Sequence, residues 1–289
     1  MKSKPVKASL RIAVVQMKFR PTIGGNVERI VEQVHAAAGA GADVVLFPEC
    51  ALTGYRREFA GLDARSVAEG CAAVARAAKE ARCNVLLGSP THRRGKWFNS
   101  LLVFDRGGRE VFCYSKIHLT EWDARFFTPG NSLALFRVDG VPATAIICHE
   151  RRFPELVRLP VMMGAHIVFH PNAGLDPLNV SRSKRGGRDG IAVRAFENQV
   201  FYVFANSVGP QGNGLWSAGD SKIAAPDGRV LALAGHRDEC VLHAELKLAE
   251  AGRRYAREAL REPAFLRDAW KQMLAACRRQ MRCQSRQHP

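Results

Sequence analysis

The sequence predicts an α/β protein: one domain in which two packed sheets are covered by helices. Three observations carry that reading. Short apolar runs alternate with amphipathic stretches in strand–helix–strand order, in both halves of the chain. Hairpin turns at Asp105-Arg106-Gly107-Gly108, Asp139-Gly140 and Pro226-Asp227-Gly228 are interspersed among them. No linker, short-period repeat or low-complexity segment interrupts the 289 residues, and their 47% hydrophobic content suffices for a substantial core.

Taken in order, Leu10 to Gln16 reads as a β-rich run broken by Gly24-Gly25. Asn26 can cap a helix running to Gly39, with Val27, Ile30, Val31 and Val34 on one face. Asp43 to Phe47 is a wholly apolar strand after its first residue, and it closes in Pro48-Glu49-Cys50. This order implies parallel strands buried on both faces, with Glu49 just past a strand's end. Asp63 to Ala81 is a second amphipathic helix, with Val67, Cys71, Val74 and Ala78 inward, and Asn84 to Gly88 a third strand. Trp97 to Phe104 and Glu110 to Tyr114 form a hairpin that leads into Ser115-Lys116-Ile117-His118. Leu133 to Val138 and Ala143 to Ile147 flank the next turn and deliver Cys148. The pattern recurs with a helix over Pro154 to Met163, a strand over His166 to His170, a helix over Gly190 to Asn198 and a strand over Val200 to Asn206. A hairpin is expected over Leu215 to Gly235, and a last strand near Val241 to Leu246.

The ends of the chain are read differently. Residues 1–8 form a basic lead, expected to be disordered and followed by no apolar signal core. From residue 249 the chain reads as a basic helical extension interrupted at Pro263. Of the +16 net charge, residues 253–289 supply +7 (ten Lys/Arg against three Asp/Glu). Elsewhere basic residues are scattered without the interleaved aromatics of a single-strand groove, so nucleic acid is not the expected partner. No apolar run approaches the ~20 residues that span a bilayer, so no membrane is expected either. Eight cysteines are scattered without a CxxC pair, which suggests reduced thiols in a cytoplasmic protein.

The stretch Ala145-Ile146-Ile147-Cys148-His149-Glu150-Arg151-Arg152-Phe153-Pro154-Glu155 is the most reactive of the chain. A thiol at a strand's end stands where open α/β sheets keep their chemistry, and it is a strong nucleophile once its proton is removed. Glu49, Lys116 and Cys148 are three reactive groups at three strand exits. Singly, each has a plainer reading as a solvated charge or a packed thiol.

Together they resemble the nitrilase superfamily of carbon–nitrogen hydrolases, in its amidase or carbamoylase branch. The matching pieces, in the family's order, are Leu46-Phe47-Pro48-Glu49 with Gly54-Tyr55, Tyr114-Ser115-Lys116-Ile117-His118-Leu119, Phe127-Thr128-Pro129-Gly130, and Cys148 with Phe153-Pro154-Glu155. Arg194-Ala195-Phe196-Glu197-Asn198-Gln199, Asn206 and Ser221-Lys222-Ile223 follow. The resemblance covers residues 9–248 and implies a four-layer α-β-β-α sandwich with two central mixed sheets. It implies a homodimer or larger homo-oligomer packed through the helical layers, and no metal or organic cofactor.

The resemblance also implies roles. Glu49 is the base, Cys148 the nucleophile and Lys116 the cation beside the developing oxyanion; the backbone N–H of His149 is the second donor. A further acid is expected seven residues after the lysine, where Asp123 stands, with Glu121 as the alternative. Arg151 and Arg152 resemble the arginines that hold a substrate carboxylate in carbamoyl-amino-acid hydrolases, a task suited to bidentate guanidinium groups. One of them could instead pair with Glu150 or Glu155. Tyr55 and Asn172 are pocket residues by position, while the His118 and His149 side chains read as structural hydrogen-bonders. The implied substrate is a small amide or N-carbamoyl compound, possibly bearing a carboxylate. The same three groups would serve a nitrile, and a binding protein retaining the fold is the third reading.

Overall fold

The computed structural model describes residues 7–55, 59–183, 190–212, 214–261 and 263–285, with the side chains of 282–285 excepted. In chain order the elements are β1 (Ser9–Gln16), α1 (Ile23–Gly39), β2 (Val44–Leu46), α2 (Ala64–Glu80), β3 (Asn84–Arg93), β4 (Lys96–Phe104) and β5 (Glu110–Ser115). The second half continues with β6 (Phe136–Val138), β7 (Val141–Ala145), α3 (Glu155–Met162), β8 (Ile167–Asn172), β9 (Asp176–Pro177), α4 (Leu178–Ser183) and α5 (Ile191–Asn198). Then come β10 (Phe201–Asn206), β11 (Val208–Gly212), β12 (Leu215–Ala218), β13 (Lys222–Ala224), β14 (Val230–Leu233), β15 (Cys240–Lys247), α6 (Arg254–Glu258) and α7 (Ala264–Ser285).

Among the described residues the strands make two six-stranded sheets, ordered β15-β1-β2-β3-β4-β5 and β14-β13-β10-β8-β7-β6, and a small one, β11-β12-β9. Both large sheets are mixed, with β1-β2-β3 and β10-β8-β7 parallel and the flanking pairs antiparallel. The two-residue period of each strand sorts its side chains into layers. Leu10, Ile12 and Val14 of β1 face the second sheet, where Ile167, Phe169, Phe201 and Val203 meet them. Ala13 and Val15 face the helical layer of α1 and α2. Val168, Tyr202 and Phe204 face the opposite layer, built from α3, α5, α6 and α7. The result is a four-layer α-β-β-α sandwich, and the double-sided burial explains why the parallel strands are continuous apolar runs.

Several boundaries differ from the sequence reading. The cap of α1 is Thr22, whose hydroxyl accepts from Gly25 N–H. Asn26 lies inside the helix, buried, and its amide ties the helix to the Arg20 backbone through the N–H and the carbonyl. Asn26 is therefore drawn inward by a tertiary partner, which capping statistics do not see. Leu215 to Gly235 is not one hairpin. The β13–β14 pair turns at 226–228 as expected, but β12 pairs with β11 and β9 in the third sheet.

Residues 1–6 of the expected disordered lead lie outside the described residues. Lys7 is held by ion pairs to Asp43 (2.7 Å) and Asp139 (2.9 Å), and Ala8 accepts from Leu248 N–H. The C-terminal extension is docked rather than free: Trp270, Leu274, Cys277 and Met281, a stripe of helical period on α7, pack against the α3–α5 layer. Among the described residues no helix is long and apolar enough to cross a membrane, and the described cysteines are all free thiols. Cys283 falls among the side chains outside the description.

Candidate active site

Two turns and a hairpin exit meet where the sheets face each other. The first turn follows β2 and carries Glu49. It closes against β3 at Gly88, where a Cβ would stand 2.1 Å from Pro48 O and 2.8 Å from Glu49 Cα, so only glycine fits. The second site element is the exit of β5. Lys116 N–H donates to Asn99 O at 2.8 Å, and its carbonyl accepts from Gly130 N–H at 2.7 Å. A Cβ at Gly130 would come 2.1 Å from Ser115 O, so the 126–130 loop can lie flat on the lysine strand. The third element follows β7, where the chain turns through the left-handed region at Cys148 (φ +51) into the short 3-10 turn Cys148–Arg152.

Glu49, Lys116 and Asp123 form one dry cluster. Lys116 Nζ donates to Glu49 Oε1 at 2.8 Å and to Asp123 Oδ2 at 2.6 Å, and both side chains of the first pair are 0% exposed. Glu49 Oε1 also accepts from Asn99 Nδ2 (2.7 Å), and Oε2 from Ala173 N–H (3.0 Å). Asp123 accepts from Tyr55 O–H (2.8 Å) and Thr120 N–H (3.1 Å). Asp123 is thus the acid joined to the lysine. Glu121, the alternative, is exposed and does not line the cavity.

Burial raises the Glu49 carboxyl above its ordinary value, because desolvation outweighs the attraction of Lys116. Lys116 is held well above its ordinary value: burial opposes its charge, but Glu49, Cys148 and Asp123 together prevail. The Cys148 thiol is pushed up to about 12, by burial first and by the Glu49 charge second, with Lys116 and Arg151 opposing. At neutral pH the resting thiol is therefore protonated beside a charged lysine and a basic carboxylate.

Cys148 opens into a cavity of about 270 Å³. Tyr55, His149, Arg151, Arg152 and Asn172, all expected near the substrate, line it. His149 is kept below its ordinary value by burial and the nearby cations, and its ring meets Phe153 edge-on. His118 stacks flat on the same Phe153 ring.

Three residues not singled out as site members in the sequence also shape the site. Glu150, fully buried, takes Tyr114 O–H (2.9 Å), Ile117 N–H (2.6 Å) and His118 N–H (3.2 Å) on Oε1, and Ile147 N–H (2.7 Å) on Oε2. It fastens the lysine strand to the nucleophile turn, so it is not the arginine partner considered from sequence. Asn99 orients Glu49. His170 Nε2–H donates to the Cys148 carbonyl at 3.1 Å, and its Nδ1 accepts from Tyr202 O–H at 3.0 Å. Burial keeps that imidazole neutral, which fixes the tautomer. Asn99 and Asn206 had a legible trace, as amides interrupting apolar strands; Glu150, inside a charged run, had none.

Residues 11–255 match the family model described as carbon–nitrogen hydrolase. The chain belongs to the carbon–nitrogen hydrolase family. Among its curated relatives, an (R)-stereoselective amidase from a Pseudomonas species is 31% identical over 253 residues, covering 85% of this chain and 88% of that one. The 2-oxoglutaramate amidase of Bacillus subtilis is 31% identical over 217 residues, covering 73% and 80%. An amidase of the nitrilase superfamily from Nesterenkonia AN1 superposes with a TM-score of 0.78 over 91% of this chain and 98% of its own, at 24% identity. The chain thus shares the fold of that amidase, the four-layer arrangement the resemblance implies.

Proposed function

We propose that this carbon–nitrogen hydrolase cleaves a small amide or N-carbamoyl compound bearing a carboxylate, through a thioester on Cys148. The observation that carries the reading is the buried Glu49–Lys116–Asp123 cluster, whose charges act on the Cys148 thiol that lines the cavity. Glu49 takes the sulfur proton as Sγ attacks the carbonyl carbon, and passes it to the leaving nitrogen as the C–N bond breaks. Lys116 and the His149 N–H face the oxygen that becomes negative. A water deprotonated by Glu49 then attacks the thioester, and the acid leaves as the proton returns to sulfur. Asp123 and Tyr55 hold the lysine in place.

The carboxylate is assigned to Arg151 and Arg152, which line the cavity beside Cys148. The printed name of the B. subtilis relative, a 2-oxoglutaramate amidase, agrees with a small acidic amide. A cavity of about 270 Å³ sits at the small end of ligand sites. The protein acts as a homodimer packed through its helical layers at α5, whose Val193 (63% exposed) and Phe196 (52%) are among the exposed large apolar side chains.

The test is intact-mass spectrometry during turnover of carbamoyl acids, ω-amides, aliphatic amides and nitriles, with ammonia detection. Acyl adducts on Cys148 that vanish in Cys148→Ala, with ammonia from amides, support the reading. Ammonia from nitriles alone would replace it with a nitrilase; no adduct and no ammonia from any class would leave a binding protein.

A further inference from the structure

The peptide unit between Cys148 and His149 is tied to two buried side chains in sequence. Its carbonyl accepts from His170 Nε2–H at 3.1 Å, and the other ring nitrogen, Nδ1, lies 3.0 Å from the Tyr202 hydroxyl. A carbonyl oxygen can only accept, so Nε2 carries the proton. In the neutral ring Nδ1 is then an acceptor, and Tyr202 O–H must donate to it. The pairing of β8 with β10 builds this contact. Val168 stands opposite Tyr202 and His170 opposite Phe204, which makes Tyr202 and His170 diagonal neighbours on one sheet face. Both are fully buried, and neither lines the cavity that Cys148 and His149 line. Phe204, which does line it, packs against the imidazole at 4.9 Å between ring centroids.

What this chain of donors holds is the peptide that matters to the chemistry. A trans peptide is planar, with its C=O and N–H pointing opposite ways. Fixing the Cys148 oxygen therefore fixes the direction of the His149 N–H, the second donor to the developing oxyanion. Cys148 sits at φ +51, a conformation that a residue with a side chain keeps only where its surroundings enforce it. Hydrogen bonds in series also polarise one another, so a donor on the carbonyl makes the N–H of the same unit a better donor.

We propose that Tyr202 and His170 are positioning residues, a relay that aims the His149 N–H at the substrate oxygen and strengthens it through the Cys148 peptide. The inference rests on the hydrolase reading and adds to it two side chains that act without touching substrate. A tie that merely stabilised the turn would treat bound substrate and transition state alike. The relay instead matters most when the oxygen becomes negative, so its loss falls on kcat.

Three variants test it, assayed by ammonia release from the amide that the parent hydrolyses fastest. Tyr202→Phe keeps the ring but removes the proton given to Nδ1, which frees the imidazole to turn a lone pair toward the Cys148 carbonyl. Its kcat should fall roughly 5- to 30-fold, part of the 10²–10³ that a deleted oxyanion donor costs, with KM within about twofold of the parent. His170→Leu removes the tie and should lower kcat by roughly 10²-fold. His170→Gln can return an amide N–H to the same carbonyl and should recover kcat to within about 10-fold of the parent. Should His170→Leu fail to fold, Tyr202→Phe and His170→Gln decide. Parental kcat in Tyr202→Phe, KM rising in step with a falling kcat, or no recovery in folded His170→Gln overturns the relay and leaves the hydrolase standing. A parent that releases ammonia from no substrate of the panel refutes the hydrolase and this inference with it.

Discussion

Ala173 N–H donates to Glu49 Oε2 across 3.0 Å, so the end of β8 in one sheet holds the carboxylate delivered by the other. The reactive cluster is therefore a property of the closed sandwich. Disturbing the seam between the sheets should disturb the chemistry before it disturbs either sheet.

The thiol should titrate far from an ordinary cysteine. Because burial and Glu49 push Cys148 up to about 12, iodoacetamide should inactivate the enzyme with a rate that climbs without a plateau through pH 10. An inflection near 8.5 would contradict the buried thiol. Activity needs Glu49 ionised, and its carboxyl is raised, so the acid limb of kcat/KM should lie above the ordinary glutamate value.

Glu150→Gln leaves one amide oxygen where a carboxylate served four donors. Thermal unfolding should show a loss of about 1–3 kcal/mol, with kcat falling more than KM rises because the lysine strand and the nucleophile turn drift apart. Glu150→Asp, which keeps the charge, should restore part of kcat.

Gly88→Ala should be among the most damaging single methyl additions in the chain. The new Cβ would overlap Pro48 O and Glu49 Cα. Overpacking of this kind costs about 1–3 kcal/mol or more, and here it displaces the base directly. Soluble protein with near-normal activity would show that the turn after β2 is more pliant than its close approach to Gly88 implies.

A charge network ties the two sheets at their far end. Asp139 meets Arg106 and Lys7, accepts from Asn84 Nδ2, and titrates well below the ordinary aspartate value, with burial opposing and Arg106 the largest of the favourable partners. Its folded-state value is depressed, so the stability it contributes is present above the ordinary carboxylate value and is lost as pH falls through the lower folded one. Asp139→Asn should cost about 1–2 kcal/mol at pH 7, discounted because Arg106 is partly exposed, and the gap between variant and parent should close on acidification.

The dimer reading predicts a single species of twice the chain mass in light scattering. Phe196→Arg, placed on the exposed face of α5, should shift it to monomer; a parent already monomeric at micromolar concentration would remove the proposal.

Much of this architecture was legible because period-two and period-3.6 patterns report which faces are apolar. Val67 and Val74 faced inward as read, and the parallel strands β2, β8 and β10 stood where their apolar runs placed them. The three reactive groups were legible only as an ordered set of strand exits. What sequence concealed was polar burial. Glu150 inside a run of charge looks solvated, and Asn26 looks like a cap, because their partners lie on distant segments that no local pattern encodes. The Leu215–Ala218 strand was misjoined for a related reason: alternation signals a strand without naming its neighbour.

One pairing described above also bears on when the protein can work. The last strand of the first sheet, β15, runs antiparallel to the first, β1, over eight residues from Ser9↔Lys247 to Gln16↔Cys240. A nascent chain emerging from the ribosome cannot close that sheet until β15 has emerged. Catalysis should therefore switch on abruptly once β15 can pair, and release of fragments ending before β15 should yield ammonia from no substrate.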